Sequence, residues 1–312
     1  MKKISIIMPF LNEADEPYKT IQSIYDTSDP SLFEIIAIDD NSNQRYDFSR
    51  FKDVKYIRNT ERLGVDGNRQ IGAEIATTDR LLIIDAHERF IPDSNWLNKM
   101  IDCIDKEPET AWCCTSIALG YGINDITPST PRYYGADLML LNSEFDKGRP
   151  SRECIEPKWR KFENKVEYEV PCILGANYFL YRPYFMHIRG LKGLKMWGSS
   201  EPLLSLKYYL SGGTSKIRTD IETAHIYRQN APYTTMVAPL YANKVYICKT
   251  LFPDNLANKI IASLPQDNNF KLAMKMLEKE KESIEEDKKY FQSIFKYSIY
   301  DYCQKFNIVI PN

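Results

Sequence analysis

Residues 80–87 read Arg-Leu-Leu-Ile-Ile-Asp-Ala-His. A short apolar run that stops at a carboxylate and an imidazole reads as a strand covered on both faces whose end emerges at a polar site. Three runs of the same kind precede it, at 3–8 (Lys-Ile-Ser-Ile-Ile-Met), 34–38 (Glu-Ile-Ile-Ala-Ile) and 54–57 (Val-Lys-Tyr-Ile), separated by longer polar or helix-like stretches. That rhythm predicts an α/β chain built on a mostly parallel sheet. Ligands of such sheets bind beyond the carboxyl ends of the strands, which is where Asp39-Asp40 and Asp85-Ala86-His87 stand.

Outward from this block the pattern becomes less regular. Strand-like pieces at 112–119, 134–141 and 173–181 surround a polar, basic segment at 146–169, which predicts a mixed-sheet second half. Residues 201–211 carry apolar side chains at helical spacing, with Pro202 in the first turn and Gly212-Gly213 as the stop. After residue 255 the chain reads as a charged helical extension, and its densest run, Glu278 to Lys289, as a solvated face.

Composition narrows the class. A 312-residue chain with 43% hydrophobic residues can bury a core without staples. Its seven cysteines form no Cys-x-x-Cys pair and make an odd total, which predicts reduced, buried thiols and argues against zinc or a disulfide framework. The opening MKKISIIMPF is soon interrupted by Asn12, Glu13 and Asp15, so it reads as neither a signal peptide nor a membrane span, and a cytoplasmic location is expected. Residues 147–250 hold 17 Lys and Arg against 8 Asp and Glu. That surplus points toward anionic groups, although bound phosphate and surface solvation account for most such excesses.

Asp85 and His87 are spaced i, i+2, so in extended backbone both side chains point the same way and can share one ion. The chain has only three histidines, and His225 stands in Thr-Ala-His-Ile-Tyr-Arg after another strand-like run. Two imidazoles and a carboxylate, completed by phosphate oxygens and water, suit manganese, with magnesium as the substitute. Taken alone, Asp-Ala-His also reads as a strand-end turn around a satisfied histidine. Neighbouring motifs decide between the two.

Those motifs run in fixed order: Pro9-Phe10-Leu11-Asn12-Glu13, Asp39-Asp40-Asn41-Ser42, Arg62-Leu63-Gly64, Gly67 to Ala73, then Asp85-Ala86-His87. They continue through Val170 to Phe179, Met196-Trp197-Gly198, Leu210 to Gly213, His225 to Arg228 and Pro232-Tyr233-Thr234. In this order and spacing, over about residues 3–250, the chain resembles the GT-A glycosyltransferases of the family 2 superfamily. It is most similar to the catalytic domain of polypeptide N-acetylgalactosaminyltransferases.

The resemblance implies a GT-A fold with a Rossmann-like nucleotide-binding half and a central mixed, mostly parallel sheet. It implies a catalytic domain over 1–255, split into a nucleotide-sugar half (1–110) and an acceptor half (111–255), ahead of the helical extension at 256–312. The implied activity is transfer of a hexose or N-acetylhexosamine from a UDP-sugar to a hydroxyl acceptor. Pro9, Phe10, Asn12, Glu13, Asp39 and Asp40 would surround the uridine and ribose. Arg62, Gly64 and Arg69 would stand on the nucleotide side, and Asp85, His87 and His225 would hold manganese, with Ala86 between the first two. Gly175 and Ala176 would admit the donor sugar close to the backbone. Trp197 would flank the sugar and leaving group, while Arg228 and Tyr233 would belong to a loop over the diphosphate.

Two departures matter. The family's tryptophan loop reads Trp-Gly-Gly-Glu-Asn, whereas here it is Trp197-Gly198-Ser199-Ser200-Glu201. Ser200 therefore replaces the family's glutamate, and Glu201 falls where inverting family 2 enzymes keep a general base. The metal set and Arg228 favour a retaining course, and Glu201 favours an inverting one. No lectin-like repeat or membrane anchor is recognisable, so the acceptor is not inherited from the resemblance. Arg149, Arg152, Lys158, Trp159, Arg160, Lys161 and Lys165 point toward an anionic acceptor such as hydroxymethylated phage DNA, with polysaccharide, lipid-linked sugar or protein hydroxyl as the other classes. A non-catalytic nucleic-acid-binding or scaffold protein on the same fold is the reading from another class, and intact Asp85, His87 and His225 weigh against it. A nucleotidyltransferase would want a glycine-rich loop after the first strand, and Phe-Leu-Asn-Glu is not one.

Overall fold

Strand β1 (Ile4–Phe10) is buried along its whole length, as a strand sandwiched between helical layers must be. It lies between β2 (Phe33–Asp39) and β4 (Arg80–Ile84), both parallel to it, and β3 (Val54–Arg58) continues the parallel order beside β2. Helices α1 (Glu16–Thr27) and α2 (Gly64–Ile75) provide the crossovers. Gly72 of α2 sits so close to β1 that a Cβ there would lie 2.4 Å from an Ile7 methyl, which explains a glycine inside a helix. The structure is a computed structural model that describes all residues except 1, 93–94, 121–125, 128, 142–153, 175, 229–231, 235 and 312. Gly175, Arg149 and Arg152, singled out above, lie outside the described residues.

The second half continues with β5 (Glu88–Phe90), α3 (Trp96–Lys106), β6 (Thr110–Leu119), β7 (Arg132–Tyr133), β8 (Ala136–Leu141), β9 (Cys154–Trp159), β10 (Glu167–Glu169) and β11 (Asn177–Tyr181). After α4 (Arg182–His187) and α5 (Ser200–Leu210), the long β12 (Thr214–Ile226) returns to the sheet. The main path is β10-β12-β6-β11-β4-β1-β2-β3, with β5 on β12 and β7 on β6. Strand β11 runs antiparallel to both β4 and β6, and β6 and β12 run parallel to each other, so the sheet is mixed and mostly parallel, as expected. Strands β8 and β9 pair only with each other in a separate antiparallel ribbon. The polar, basic segment at 146–169 contains β9 and β10.

Helices α6 (Val237–Leu251), α7 (Asp254–Ala262), α8 (Asn268–Glu278), α9 (Lys281–Ile294) and α10 (Ile299–Phe306) close the chain. Leu256, Ile260, Phe270, Leu277, Phe291 and Tyr302 from them join the same apolar core as α5 and α6. The charged run at 278–289 is mostly exposed, but Asp287 turns inward to accept from Tyr246 Oη (2.7 Å) and Arg189 Nη1 (2.5 Å). Among the described residues no helix is long and apolar enough to cross a membrane. All seven cysteines are free and buried.

Helix α5 carries the site's Glu201 on its first turn and, further along, the fully buried Lys207. Lys207 Nζ donates to the Gly190 carbonyl at 2.9 Å and lies 4.6 Å from the Phe291 ring centre. Burial pulls its pKa down to about 7, against the opposing pull of Asp287. Between pH 7 and the unfolded value near 10.5 the unfolded chain therefore binds the proton that the folded one has released, so stability should rise with pH across that window. Lys207→Met is expected to erase about 2 kcal/mol of the wild type's gain between pH 7 and 9. The difference between urea-unfolding curves of the two proteins at each pH measures it.

Candidate functional site

The strand ends of β1, β4 and β12 open onto one cavity of about 810 Å³. Two structural accidents of the backbone bring the ion candidates together there. After β4, residues 85–87 form a turn, and the chain re-enters the sheet as β5, antiparallel to β12 with His225 opposite Glu88. The Ile226 N–H donates to the His87 carbonyl at 3.2 Å, so the two imidazoles face each other with ring centres 4.7 Å apart. Asp85 N donates to the Ala176 carbonyl at 2.9 Å, which pins the carboxylate beside them. Asp85 and His87 thus converge through a turn, and not through the extended backbone that their spacing predicts.

Ligand atoms of Asp85, His87 and His225 all lie within 4.8 Å of one another. His225 Nε2 stands 3.5 Å from Asp85 Oδ2, and neither imidazole nitrogen of His225 makes a hydrogen bond. Unpartnered buried nitrogens next to a carboxylate are costly unless something binds them. Burial lowers the His225 pKa, keeping its ring neutral as a ligand must be. Burial also pushes Asp85 upward, but contact with His225 and the Arg69 charge prevail and hold it well below the usual carboxylate range. One oxygen and two imidazole nitrogens suit manganese or a similar divalent ion, so these residues fit the metal the sequence implies.

Behind this set stands Glu13, 3.3 Å from His87 Nδ1 and paired with Arg228. Burial alone would raise the Glu13 pKa, yet His87 and Arg228 together keep it lowered. A carboxylate on one imidazole nitrogen leaves the other for an ion and fixes the ring. Arg228 therefore reaches the centre through Glu13.

On the other side, Arg69 is buried among acids. Its Nη2 donates to Asp85 Oδ1 at 2.9 Å and its Nη1 to Ser200 Oγ at 3.2 Å, with Asp66 Oδ1 3.5 Å from Nη1. Ser200 also hydrogen-bonds Asp66, whose pKa burial raises to about 7 even against the Arg69 charge. Glu201 lines the cavity next to Ser200, and burial raises its pKa; Arg69 opposes this, while Asp85 and Glu156 add to it.

The nucleotide-side residues divide. Pro9, Phe10, Glu13, Asp40, Arg62 and Gly64 line the cavity, as do Ala86 and Ala176 deeper in. Asp40 Oδ1 accepts from Leu63 N at 2.8 Å and Asn68 Nδ2 at 2.9 Å, so it also anchors the start of α2. Arg62 lies 3.7 Å from Asp40 and 5.7 Å from the ring centre of Tyr233, which closes that side. Asp39 and Asn12 are different: neither lines the cavity. Asp39 is committed to Ser42 N, Tyr56 Oη and Arg58 Nη1, and the Asn12 side chain accepts from Asn43 N. These two hold loops beside the cavity and do not line it.

The tryptophan loop is set by two contacts that the sequence motifs did not reveal. Gly64, at φ +80°, abuts Met196 so closely that a Cβ would fall 2.1 Å from the Met196 Cα. Asn243, buried in α6, accepts from Lys195 N at 2.6 Å and donates to the carbonyls of Lys195 and Gly198 at 2.9 and 2.8 Å. Trp197, half exposed, is thereby held at the cavity mouth. The adjacent Asn243-Lys244 pair amid the apolar residues of α6 was the available signal.

Among the described residues of the basic segment, Arg160 and Lys165 stand beside acidic side chains. Arg160 pairs with Asp137 and Glu163, Lys165 lies 3.8 Å from Glu163, and of the described members only Lys158 and Trp159 line the cavity.

Comparison with known proteins agrees with this geometry. Residues 5–182 match the family Glycosyl transferase family 2. Human polypeptide N-acetylgalactosaminyltransferase 10 is 27% identical over 273 residues, 84% of this chain and 44% of that protein. Polypeptide N-acetylgalactosaminyltransferase 3 of Taeniopygia guttata is 30% identical over 243 residues, 74% of this chain and 38% of that protein. The chain thus spans less than half the length of these curated relatives. A crystal structure of GalNAc-T7 with UDP, GalNAc and Mn2+ superposes with a TM-score of 0.75 at 20% identity, covering 98% of this chain and 57% of that one. S. aureus TarS 1–349 in complex with UDP-GlcNAc gives 0.53 at 14% identity, covering 84% and 71%. Both likenesses support the GT-A fold.

Mn2+ at a hundredfold excess over its dissociation constant should stabilise the wild type by about 2.7 kcal/mol. The Asp85→Ala and His225→Ala variants are expected to show no such shift in thermal midpoint. An undiminished shift in both would put the ion elsewhere.

Proposed function

The chain belongs to glycosyl transferase family 2, and on that premise we propose that it transfers a hexose or N-acetylhexosamine from a UDP-sugar to a hydroxyl acceptor, with retention of configuration. The observation that carries the reading is the convergence of Asp85, His87 and His225 at the strand ends, inside a cavity walled on its nucleotide side by Phe10, Asp40 and Arg62. Complexes of similar fold that contain UDP with Mn2+, or UDP-GlcNAc, support the donor class. A bound Mn2+ or Mg2+ would neutralise the charge that builds on the departing diphosphate.

The chain's own residues do the rest. Arg69 keeps Asp85 ionised and aimed, and Glu13 with Arg228 orients His87. Ala86 and Ala176 leave room for a sugar against the backbone, and Trp197 and Tyr233 flank the mouth, where they exclude water from the donor. In the reaction the acceptor oxygen bonds to the anomeric carbon while the bond from that carbon to the β-phosphate oxygen breaks, and UDP leaves with the electron pair. In the retaining course the hydroxyl proton passes to the departing phosphate oxygen. A second reading has Glu201 take that proton in an inverting displacement. Its raised pKa and its place in the cavity wall favour it, because a base works best with a pKa near the working pH.

Incubation with Mn2+ and a panel of UDP- and GDP-sugars is expected to give metal-dependent donor turnover with a UDP-sugar; no turnover of any donor refutes the activity. NMR of the product's anomeric proton is expected to show the donor's configuration, with Glu201→Gln impaired but active. An inverted product together with a loss of about 10²–10⁴-fold in Glu201→Gln would establish the second reading.

A further inference from the structure

The cavity extends well past the donor side into a wall contributed by β9 and α6, and that wall has its own chemistry. Trp159, at the end of β9, stacks on Tyr133 with ring centres 4.6 Å apart and planes 24° from parallel. Tyr227 closes edgewise onto both, at 5.6 Å from Tyr133 and 6.5 Å from Trp159. The same Tyr227 meets His225 at 4.5 Å in a T-shaped contact, and its hydroxyl lies 3.3 Å from Ser116 Oγ. A continuous chain of rings therefore leads from the proposed ion ligand to Trp159. Trp159 and Tyr227 both line the cavity, and neither is fully buried.

Around these rings the charges balance. Glu156 and Lys158 flank Pro157 on the same strand, Lys244 reaches in from α6 to within 3.6 Å of Glu156, and Glu201 completes the set. Two carboxylates and two ammonium groups therefore line this part of the cavity. Just outside, Arg160 and Lys165 are offset by Asp137 and Glu163, and Arg132 by Glu222 at 2.9 Å. Polyanion recognition depends on uncompensated cations that displace counterions. This wall supplies instead an aromatic face bordered by hydrogen-bonding groups of both signs, which matches a neutral molecule with an apolar C–H face and a rim of hydroxyls.

We infer that this wall is the acceptor subsite and that its ligand is a neutral saccharide, stacked on Trp159 with its hydroxyl rim held by Glu156, Lys158 and Lys244. The inference rests on the transferase reading above and adds the acceptor class to it. Glu201 lines the same cavity as Asp85 on the donor side and Glu156 on this wall. An acceptor docked on Trp159 therefore shares one cavity with Glu201 and the donor side.

The test uses the whole chain with UDP and Mn2+. Saturation-transfer difference NMR is run with methyl glycosides of glucose, galactose and N-acetylglucosamine and with their disaccharides, alongside a hexuronic acid oligosaccharide and a threonine-containing peptide. Neutral glycosides are expected to receive saturation, most strongly on the C–H protons of one ring face. Trp159→Ala is expected to lose that signal and to raise the acceptor KM at least tenfold, while keeping the wild type's thermal stabilisation by UDP and Mn2+. Trp159→Phe, which preserves a stacking face, should recover most of the signal. The inference is overturned if Trp159→Ala binds the glycosides as the wild type does, if the uronate or the peptide is bound in their place, or if the wild type binds no saccharide while still stabilised by UDP and Mn2+. A wild type that shows no UDP and Mn2+ stabilisation refutes the donor reading instead.

Discussion

The site depends on one buried cation. Arg69 sits on α2, yet its guanidinium bonds Asp85 at the end of β4 and Ser200 at the start of α5, with Asp66 alongside. Three acidic side chains, Asp66, Asp85 and Glu201, share that neighbourhood; the Arg69 charge opposes the effect of burial on each, and together with His225 it prevails only at Asp85. Removing one member of such a buried set typically costs about 3–5 kcal/mol, because the remaining charges are left uncompensated in low dielectric. The fixed, planar fork of arginine also sets geometry: the same group that keeps Asp85 ionised fixes where α5, and hence Glu201, can lie.

From that anchor the two halves of the cavity follow. On the donor side, β12 delivers His225 opposite β5, so the pairing of two strands decides where an ion can bind. Two residues further on, Tyr227 begins the aromatic wall. The end of β12 and the residue that follows it thus serve both ends of the proposed reaction. The tryptophan loop between them is held from both sides, by the absence of a side chain at Gly64 and by the amide of Asn243. Its backbone is fixed while the Trp197 ring stays half exposed, an arrangement suited to closing over a ligand without refolding.

Much of this was legible in the chain. Strands β1, β2 and β4 are nearly continuous buried apolar runs, and the carboxylates where β2 and β4 end announce the ligand side because buried runs of that length leave few alternatives. The Asp85, His87 and His225 set was legible from motif order, although the geometric reason differs: a turn, not an extended segment, brings the first two together. Strand β5 was not legible. Glu88-Arg89-Phe90 is too short for a periodic signal, and its partner β12 lies more than a hundred residues away. Strand β9 was hidden as well, since Glu156, Pro157 and Lys158 argue against a central strand, and it pairs only with β8 in a two-stranded ribbon where Pro is tolerated. The basic character of 146–169 shows a related limit of composition. Composition counts charges but not their partners, and Asp137 and Glu163 stand against Arg160 and Lys165.

The central claim is that Asp85, His87 and His225 hold one divalent ion against a nucleoside diphosphate. Crystals of the full chain grown with UDP and Mn2+, measured for anomalous scattering from manganese, test it most directly. The account predicts a single strong peak bounded by the Asp85 carboxylate and the two imidazoles, with diphosphate oxygens completing its shell. A peak at other residues, or UDP bound in the cavity with no manganese at this trio, would contradict it.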